Sequence, residues 1–600
     1  MVVPLLVYPP WEIETTYCCP ARRPGWRWDA LKVAATRSGR AATGQRPPGR
    51  QRRAAAAAGS SSTLPSWLWP LLWLGLTVAI AVLVRLPGPA ALDPDEHAAV
   101  LYFDRLAAGE RLEDPLLSSP KPLLTVVHGL AWRVGHDWRL LEALTVAAFA
   151  LAVVCLARAA GRLAGRPAAA ATVLAVAGSG PLVLQAARAN SMVFAIAGWS
   201  VALDAITRGN PAEAARERGG SGVDPDGVAA GWRGDPAEAA RERAGSGAAW
   251  GVAAGALAVA ALARAEGWLL LPLAAGYGVV AWRRGERRAA LLVLPLAAPL
   301  LWLAHDWLLT GDPLYAARVP GRYTDLVSGR QVIPPADWLA LVGRRYGAHP
   351  LLLGLAAVGV AWLAWRRAWV WLVGLGVVGV GTLALLGFEA WRGTYISWRY
   401  FDPADLAIRL AAVLGAAHLA TALAGRLLAR ESGPGGTRPA WPGGWARRPG
   451  VPAGIGAVLL AGLACWPLAP GDPLVESTLD RDTRLSANTA IAVAALRPVA
   501  AEPGTVIAAS GPQRVRVAVE LDLPLDRVRD LFLAGRAAPL DRALAGSAAV
   551  FHDADGDRPT DRFAPLSVNT PSQVGTVQLV PLHTDPGRGL YVHRVNAPEG

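Results

Sequence analysis

Charged residues are scarce in this 600-residue chain. Asp, Glu, Lys and Arg make up 18% of it, against 53% hydrophobic residues, and the mean hydropathy is +0.30. Soluble globular domains carry about 25% charged residues, so the shortage argues against an ordinary soluble protein. Apolar runs of about 17–25 residues recur along the chain, and each is long enough to span a bilayer as a helix. The composition therefore indicates a polytopic helical membrane protein.

Cysteine is also scarce. The four cysteines are Cys18, Cys19, Cys155 and Cys465. The last two lie within apolar runs, and the adjacent first pair has no second pair to complete a set of metal ligands. The sequence therefore predicts neither a disulfide framework nor a zinc site.

Acidic residues are outnumbered by basic ones, and the formal net charge is +13. Such an excess can indicate a nucleic-acid partner, but the arginines lie mostly between hydrophobic runs, so we expect no nucleic acid. No cleavable signal peptide is evident, because the first long apolar run begins near Trp67. Residues 22–53 carry ten Arg or Lys and one acid, Asp29. Residues 1–64 are therefore predicted to be a disordered, basic, cytoplasmic segment.

The apolar runs predict about eleven transmembrane helices in the plasma (inner) membrane. They lie at roughly 67–86, 139–160, 168–186, 191–207, 247–263, 267–282, 289–305, 350–364, 369–388, 404–425 and 452–468. With the amino terminus inside, arginine-rich gaps such as "RRGERR" (283–288) fall on the cytoplasmic side, as the positive-inside rule requires. We expect a transmembrane domain at 65–428, a cytoplasmic Gly- and Arg-rich loop at 429–450, and the last transmembrane helix at 451–469.

The predicted cytoplasmic loop 208–246 contains an internal repeat. "GNPAEAARERGGSG" (209–222) recurs as "GDPAEAARERAGSG" (234–247), a period of 25 residues. Two copies do not form a solenoid. A duplication within a solvated loop explains them, and we assign them no function.

The long apolar runs end near residue 470. "GTVIAAS" (504–510), "SAAVFHDA" (547–554), "VQLVPLH" (577–583) and "GLYVHRV" (589–595) have the composition of strands, and "LDRVRDLFLAG" (525–535) that of a short helix. Residues 470–600 are therefore predicted to form a small extracytoplasmic α/β domain. Within it, "HDADGD" (552–557) lacks the glycine and the closing acid of a calcium loop, so a polar turn is expected there.

An acidic cluster follows the first apolar run directly. "LDPDEHAAV" (92–100) brings Asp93, Asp95, Glu96 and His97 to a predicted outer membrane boundary. Charge beside hydrocarbon is costly unless water, a partner or a function compensates for it. The cluster is therefore a candidate site.

Basic residues lie at other predicted outer boundaries, against the usual orientation bias. They are Lys121, Arg188, Arg264 and Arg399. An anionic ligand such as a phosphate would account for them, because guanidinium groups bind phosphate in bidentate fashion.

The order of these features resembles the C-type (GT-C) integral-membrane glycosyltransferases, and within them the protein O-mannosyltransferase and aminoarabinose-transferase group. The resemblance runs from about residue 67 to 425. It is carried by Asp95-Glu96, "PKPLL" (120–124), "GRLAGRPAAAATVLAVAGSGPLVLQAARANSMVFAIAGW" (161–199), "ARAEGW" (263–268) and "SWRYFDP" (397–403). "ARAEGW" resembles the family's Arg–Pro–Glu turn, with Ala265 in place of proline, and "SWRYFDP" resembles its late Arg–Tyr loop.

The resemblance implies an all-α polytopic bundle that takes a sugar from a polyprenyl-phosphate carrier and transfers it, with inversion, to an extracytoplasmic acceptor. Residues 65–428 would then be the catalytic domain. Asp95 matches the family's catalytic aspartate, and its neighbour Glu96 is expected to position Asp95 or to bind the sugar. The alternative is that both acids cap a juxtamembrane helix that begins at "PDEHAAV" (94–100).

For the donor phosphate and the substrate we expect Lys121, Arg188, Arg264, Glu266, Arg399 and Tyr400, with Glu266 pairing with Arg264 and orienting it. The alternative for each cation is a solvated or snorkelling side chain. His97 and His128 are weaker candidates, since a lone histidine beside an apolar run is more often structural. We expect no cofactor and no metal ligands, although the sequence leaves a divalent metal open.

Two other functions stay open, namely a transporter or flippase of lipid-linked sugars and a non-catalytic protein that binds glycan lipids. Transporters place ionisable residues at the midplane on broken helices and show paired repeats. Here these residues cluster at predicted outer boundaries, and the two halves of the chain are not alike, which favours the enzyme. The expected partners are membrane lipids, a polyprenyl-phosphate sugar and an acceptor that the sequence does not identify.

Overall fold

The computed structural model describes residues 94–112, 119–136, 138–209, 236–319, 335–394, 398–431, 450–465, 473–509, 513–531, 539–553 and 563–596. These residues are mostly helical and include a sheet near the carboxyl end. The basic segment 1–64, the first predicted span 67–86, and residues 210–235 of the repeat-containing loop lie outside the described residues.

The helices before residue 320 follow one another with short connections. They are α1 (Pro94–Ala108), α2 (Pro122–Gly135), α3 (Trp138–Ala177), α4 (Gly180–Ala187), α5 (Ser191–Gly209), α6 (Pro236–Ala263), α7 (Leu271–Arg283) and α8 (Ala298–Thr310). The 3₁₀-helices Ala265–Leu270 and Arg287–Ala297 lead into α7 and α8. A buried apolar cluster joins α3, α4, α5, α6 and α7, with Trp250 and Met192 among its fully buried members.

The later helices are α9 (Pro335–Gly347), α10 (Pro350–Trp365), α11 (Trp369–Gly376), α12 (Thr382–Trp391), α13 (Asp402–Glu431), α14 (Gly450–Cys465) and α15 (Pro473–Ala500). A π-helical turn at Val377–Gly381 joins α11 to α12. The 3₁₀-turn Trp398–Phe401 leads into α13.

Four helical stretches are long and apolar enough to cross a membrane. They are Trp138–Ala177, Arg287–Thr310, Trp369–Trp391 and Arg399–Leu427. Two sharply bent pairs, Gly180–Ala187 with Ser191–Arg208 and Ala336–Gly347 with Pro350–Trp365, raise the number to six among the described residues if each pair is one span. This supports a multi-pass membrane protein, but the predicted eleven spans are not confirmed.

The predicted spans differ from the helices for local reasons. Spans 139–160 and 168–186 are joined in α3, which is broken at Gly165 (φ 82°) shortly before Pro167. Glycine reaches this backbone conformation without strain, and proline removes a helical hydrogen bond. The predicted span 168–186 then extends past the end of α3 into α4, and the chain bends by 115° between α4 and α5. A hydropathy window cannot detect such bends, because both arms are apolar.

Small residues bring two helices of the bundle into close contact. At the crossing of α10 and α13, a Cβ at Gly359 would overlap the backbone of Ala411, and a Cβ at Gly415 would overlap that of Leu355. Small residues at such crossings let helix backbones approach closely within a membrane. The α10–α13 packing therefore depends on both glycines.

The carboxyl-terminal part contains a mixed sheet with strand order β2-β1-β3-β6-β5-β4. The strands are β1 (Ile507–Ala509), β2 (Val528–Asp530), β3 (Ala549–Asp553), β4 (Ser572–Val574), β5 (Val577–Asp585) and β6 (Leu590–Asn596), with helices α16 (Gln513–Glu520) and α17 (Leu540–Leu544) between them. β1 pairs in parallel with β2 and β3, and the remaining neighbours are antiparallel. The small α/β fold predicted for this part of the chain is thus observed.

One predicted element in this part is wrong. The segment 525–535 is predicted to be helical, but its residues 525–530 form a 3₁₀ turn at Leu525–Arg527 followed by strand β2, and residues 532–535 lie outside the described residues. Val528 is fully buried and pairs with Ile507 of β1. Pairing with a neighbouring strand therefore decides the local structure over a weak helical pattern.

The sheet packs against the first described helix. Ala98 and Tyr102 of α1 belong to the same buried cluster as Val515 and Ala518 of α16 and Val592 of β6. The helix that carries Asp95 and Glu96 therefore lies against the carboxyl-terminal α/β part. How the chain divides between membrane, cytoplasmic and extracytoplasmic parts stays a prediction.

Candidate functional site

Arg264 and Glu266 form a bidentate ion pair where α6 ends. Arg264 Nε and Nη2 donate to the two Glu266 carboxylate oxygens at 3.0 Å and 2.6 Å. Nη1 donates to Ser191 Oγ, at the start of α5, at 3.2 Å. The predicted pairing of Glu266 with Arg264 is confirmed, and it ties the end of α6 to the start of α5.

Both members of this pair stay ionised despite their burial. Burial alone would lower the pKa of Arg264, but the carboxylate of Glu266 outweighs it, and the pKa is raised. Burial alone would raise the pKa of Glu266, but the guanidinium of Arg264 outweighs it, and the pKa is lowered. Opposite charges at hydrogen-bond distance favour the charged forms. The pair therefore supplies a fixed arrangement of charge.

Backbone geometry holds this pair in place. Arg264 adopts an extended conformation (φ −154°, ψ 146°), which ends α6 and starts the 3₁₀ turn. Gly267 follows, and a Cβ there would overlap the backbone of Ala260 and Ala261. The turn can fold back onto α6 only because residue 267 has no side chain.

Tyr400 lies between two arginines. The guanidinium carbon of Arg264 is 5.5 Å from the centre of the Tyr400 ring, and that of Arg399 is 5.6 Å from it. These distances are those of cation–π contacts. The segment 398–401 therefore lies against the turn that carries Arg264.

Lys121 and Arg188 are buried rather than solvated, with 8% of each exposed. Lys121 stands at the N-cap position of α2 in an extended conformation, and its charge helps to lower the pKa of Glu266. Arg188 is the C-cap of α4, three residues before Ser191. The solvated or snorkelling alternative therefore does not describe these two cations.

The turn after Arg188 is strained. Ala189 has a φ of +56°, in the left-handed region that favours glycine. Asn190 Oδ1 then accepts a hydrogen bond from Met192 N at 2.9 Å and so begins α5. Strain of this kind persists only where surrounding structure imposes it, and here it sets the separation of Arg188 and Ser191.

A small apolar cluster underlies these polar groups. It contains Ala99 of α1, Leu124 of α2, Ala195 of α5 and Ala263 of α6, all buried. In sequence they lie close to Asp95, Lys121, Ser191 and Arg264, respectively. The cluster fixes the four elements together and explains why residues distant in the sequence share one site.

The structure describes the two acidic residues at the start of α1, Asp95 and Glu96, to different extents. Asp95 lies in the first turn of α1, but its side chain lies outside the described part of the structure. Glu96 is fully buried, and its carboxylate is 2.6 Å from His128 Nδ1, which is also fully buried. The position of both acids fits the helix-capping alternative as well as a catalytic role.

Two groups were missed or undervalued by sequence reasoning. His128 was rated a weak candidate, yet it contacts Glu96. Asp402, the first residue of α13, is fully buried, and neither carboxylate oxygen accepts a hydrogen bond from a described residue. The signal for Asp402 was available in "SWRYFDP", where an acid follows the Arg–Tyr pair in an apolar context.

Within the described ranges, no group of three or more His, Cys, Asp or Glu side chains is arranged to hold a metal ion. The polar side chains brought together are instead dominated by guanidinium and ammonium groups beside paired carboxylates. Guanidinium and ammonium groups form strong charge-assisted hydrogen bonds with anions.

No protein-family model and no curated protein matches the chain. Solved structures are similar to it. ArnT from Cupriavidus metallidurans bound to undecaprenyl phosphate is 14% identical with a TM-score of 0.49, over 89% of this chain and 99% of that one. The apo state of ArnT gives 14% and 0.47, over 88% and 97%.

The archaeal oligosaccharyltransferase AglB from Archaeoglobus fulgidus, in complex with an inhibitory peptide and a dolichol-phosphate, is 13% identical with a TM-score of 0.43, over 81% of this chain and 69% of that one. ArnT, an aminoarabinose transferase, and AglB are both GT-C glycosyltransferases. For this chain, the resemblance to the GT-C group stays an expectation from its sequence. Because the identities and TM-scores are low, the function of this chain has to be argued from its own residues.

Proposed function

We propose that this protein is a membrane glycosyltransferase that moves a sugar from a polyprenyl-phosphate donor to an extracytoplasmic acceptor with inversion at the anomeric carbon. The observation that carries the proposal is the group of cations around the Arg264–Glu266 pair. It includes the buried Lys121 and Arg188 and the partly exposed Arg399. A polyprenyl-phosphate sugar presents one anionic phosphate at the membrane surface, and this group of cations suits it.

Some of the cations would bind the phosphate oxygens, and others would neutralise the phosphate charge. Arginine has five N–H donors, and the Arg264 contacts to Glu266 and Ser191 use three of them. Arg264 therefore keeps donors for a phosphate oxygen while Glu266 holds its orientation. Lys121 supplies a compact charge, and the guanidinium group of Arg399, stacked against Tyr400, completes the leaving-group site.

The reaction would be a single in-line displacement. The acceptor hydroxyl attacks the anomeric carbon, Asp95 takes the hydroxyl proton, and the bond from that carbon to the phosphate oxygen breaks. The polyprenyl phosphate leaves with the bonding electrons, and the cations stabilise its added charge. Glu96, held by His128, would fix the first turn of α1 and with it the position of Asp95.

The competing proposal is a transporter or flippase of lipid-linked sugars, and a third is a non-catalytic glycan-lipid binder. Arg264 and Glu266 favour an enzyme over both, because a rigid bidentate pair supplies preorganised charge, whereas a transported head group has to be released by moving elements.

The test is sugar transfer from radiolabelled polyprenyl-phosphate donors by the full chain in proteoliposomes. We expect Asp95→Asn to lower transfer by about a hundredfold or more, the usual scale for a general base. The matched control is Asp104→Asn, a partly exposed acid of the same helix that pairs with Arg133, and it should transfer like the wild type.

Two results would count against the proposal. If Asp95→Asn transferred as well as the wild type, Asp95 would only cap the helix. If the wild type transferred no sugar but moved the labelled lipid across the bilayer, the flippase proposal would replace it.

A further inference from the structure

The carboxylate of Asp402 is an unusual group for the interior of a helical membrane protein. It is fully buried at the start of α13, and neither oxygen has a hydrogen-bond partner among the described residues. Leaving a buried charge without hydrogen bonds is costly. A group of this kind is retained when something other than the protein supplies its partners.

The nearby arginines do not supply these partners. Arg345 donates to Asp405, one turn further along α13, at 2.5 Å and 3.4 Å, and Tyr346 donates to the same carboxylate at 2.8 Å. Arg264 is bound to Glu266. Arg345 and Arg264 thus have other carboxylates as partners, and Asp405 adds a like charge close by.

Asp402 is nevertheless part of the candidate site. It lies two residues after Tyr400, whose ring contacts both Arg264 and Arg399, and the charges of these two arginines act on it. Phe401 between them is held by Trp338, with ring centres 5.7 Å apart, and by Arg345, at 4.7 Å. The backbone around Asp402 is therefore fixed by packing on both sides.

The chemistry of a carboxylate limits what it can bind here. A phosphate would be repelled by it, whereas hydroxyl groups donate to its oxygens. A sugar attached to a phosphate places several hydroxyls a few ångströms from that phosphate. A carboxylate beside the cations is thus suited to bind the sugar, while the cations bind the phosphate.

We propose that Asp402 is a sugar-binding residue that accepts hydrogen bonds from hydroxyl groups of the donor's sugar. This inference rests on the proposed function for the identity of the ligand. It assigns the two halves of the donor to different residues, the phosphate to the cations and the sugar to Asp402. Removal of the Asp402 charge should therefore affect the two halves differently.

The test is equilibrium binding to the full chain in nanodiscs, which requires no turnover. Two probes are compared, undecaprenyl phosphate alone and undecaprenyl-phosphate-linked hexoses and pentoses. In Asp402→Asn we expect binding of the best sugar-bearing probe to weaken by about tenfold to a hundredfold, the scale of hydrogen bonds to a charged group. Binding of undecaprenyl phosphate alone should be unchanged or tighter.

The matched control is Asp204→Asn, which removes a buried carboxylate that the protein's own arginines contact. This variant should keep the wild-type ratio of the two affinities. Equal weakening of both probes in Asp402→Asn, or no change in either, would overturn the proposal.

A second measurement covers the case in which Asp402→Asn does not fold. Removal of single sugar hydroxyls from the best probe should weaken binding to the wild type about tenfold at one position or more. If no deoxygenated probe binds more weakly, the proposal is wrong. If the wild type prefers the sugar-bearing probe but never transfers the sugar, the proposed function fails and the assignment of Asp402 stands.

Discussion

Asp204 and Asp402 are both carboxylates fully buried among the helices, and arginines surround both, yet their surroundings differ. Asp204 lies 2.6 Å from Arg208, forms an ion pair with Arg162 and lies 4.0 Å from Arg158. Asp402 lies near Arg345 and Arg264, which bind other carboxylates, and its own oxygens accept no hydrogen bond from a described residue. A buried carboxylate with partners from the protein holds helices together, whereas a carboxyl group without such partners is available to a ligand.

The two carboxylates also differ in what their arginines can do. The arginines around Asp204 are partly exposed, at 43%, 22% and 42% of their side chains, so water stabilises their charges as well. Arg264 beside the candidate site is almost fully buried. Burial strengthens every electrostatic interaction there, because water no longer screens it. The candidate site is thus where a phosphate charge would be bound most strongly.

The largest expected effect is a difference in protein stability between the variants of Asp204 and Asp402. Asp204→Asn leaves three arginines around an uncharged amide and should lower the free energy of unfolding by about 3 kcal/mol, since removing one member of a buried ion pair is strongly destabilising. Asp402→Asn replaces a buried carboxyl group that has no hydrogen-bond partner among the described residues, so no ion pair is lost and stability should stay unchanged. Thermal unfolding in detergent micelles measures both.

The contrary result is informative for each carboxylate. If Asp402→Asn lowered the Tm as much as Asp204→Asn, Asp402 would be a structural ion-pair member. The proposed difference between the two carboxylates would then be lost.

A smaller effect is expected from the backbone that positions Arg264. Gly267→Ala adds a methyl group against the backbone of Ala260 and should cost about 1–3 kcal/mol, the usual cost of overpacking. It should also reduce transfer, since the Arg264–Glu266 geometry depends on this turn. The measurements are the Tm and the rate of sugar transfer.

The control is Gly255→Ala in the preceding helix, where an added Cβ meets open space. It should leave transfer unchanged and raise stability slightly, because alanine is the better helix former. Equal transfer by the two variants would show that the turn does not set the catalytic geometry.

The sequence predicted the helical class, the strands β1, β3, β5 and β6 and the Arg264–Glu266 pair, because each depends on local pattern or short spacing. The strand β2 was missed because its partner, β1, lies about 20 residues earlier, and pairing of that kind leaves little trace in the segment itself. The bend between α4 and α5 was missed because both arms are apolar.

Two further features could not be predicted from the sequence, for a different reason. They are the contact of Glu96 with His128 and the lack of a hydrogen-bond partner for Asp402 among the described residues. Whether a polar side chain has a partner depends on which helices meet around it. Asp204 and Asp402 look alike in the sequence, as single acids near apolar runs, and only packing distinguishes them.

The smallest effect concerns a third buried polar group, His593 of β6, one of whose ring nitrogens has a partner in the fold. Its Nε2 donates to the carbonyl oxygen of Leu566 at 2.9 Å. Burial lowers the pKa of His593 below its usual 6.5, partly opposed by that hydrogen bond, and the nearby His552 lowers it further. The folded chain therefore binds this proton less readily than the unfolded chain.

Stability should accordingly be complete above about pH 6.5 and fall as the pH drops below it, because the unfolded state then gains protons that the folded state does not. His593→Gln, which keeps a donor but cannot titrate, should reduce this fall, as measured by the Tm between pH 8 and pH 5. His583→Gln on β5, an exposed position, is the control and should keep the wild-type slope. If His593→Gln kept that slope as well, burial of this histidine would not contribute to the acid sensitivity of the sheet. His593 would then be, like Asp204 and unlike Asp402, a buried polar group that the protein itself stabilises.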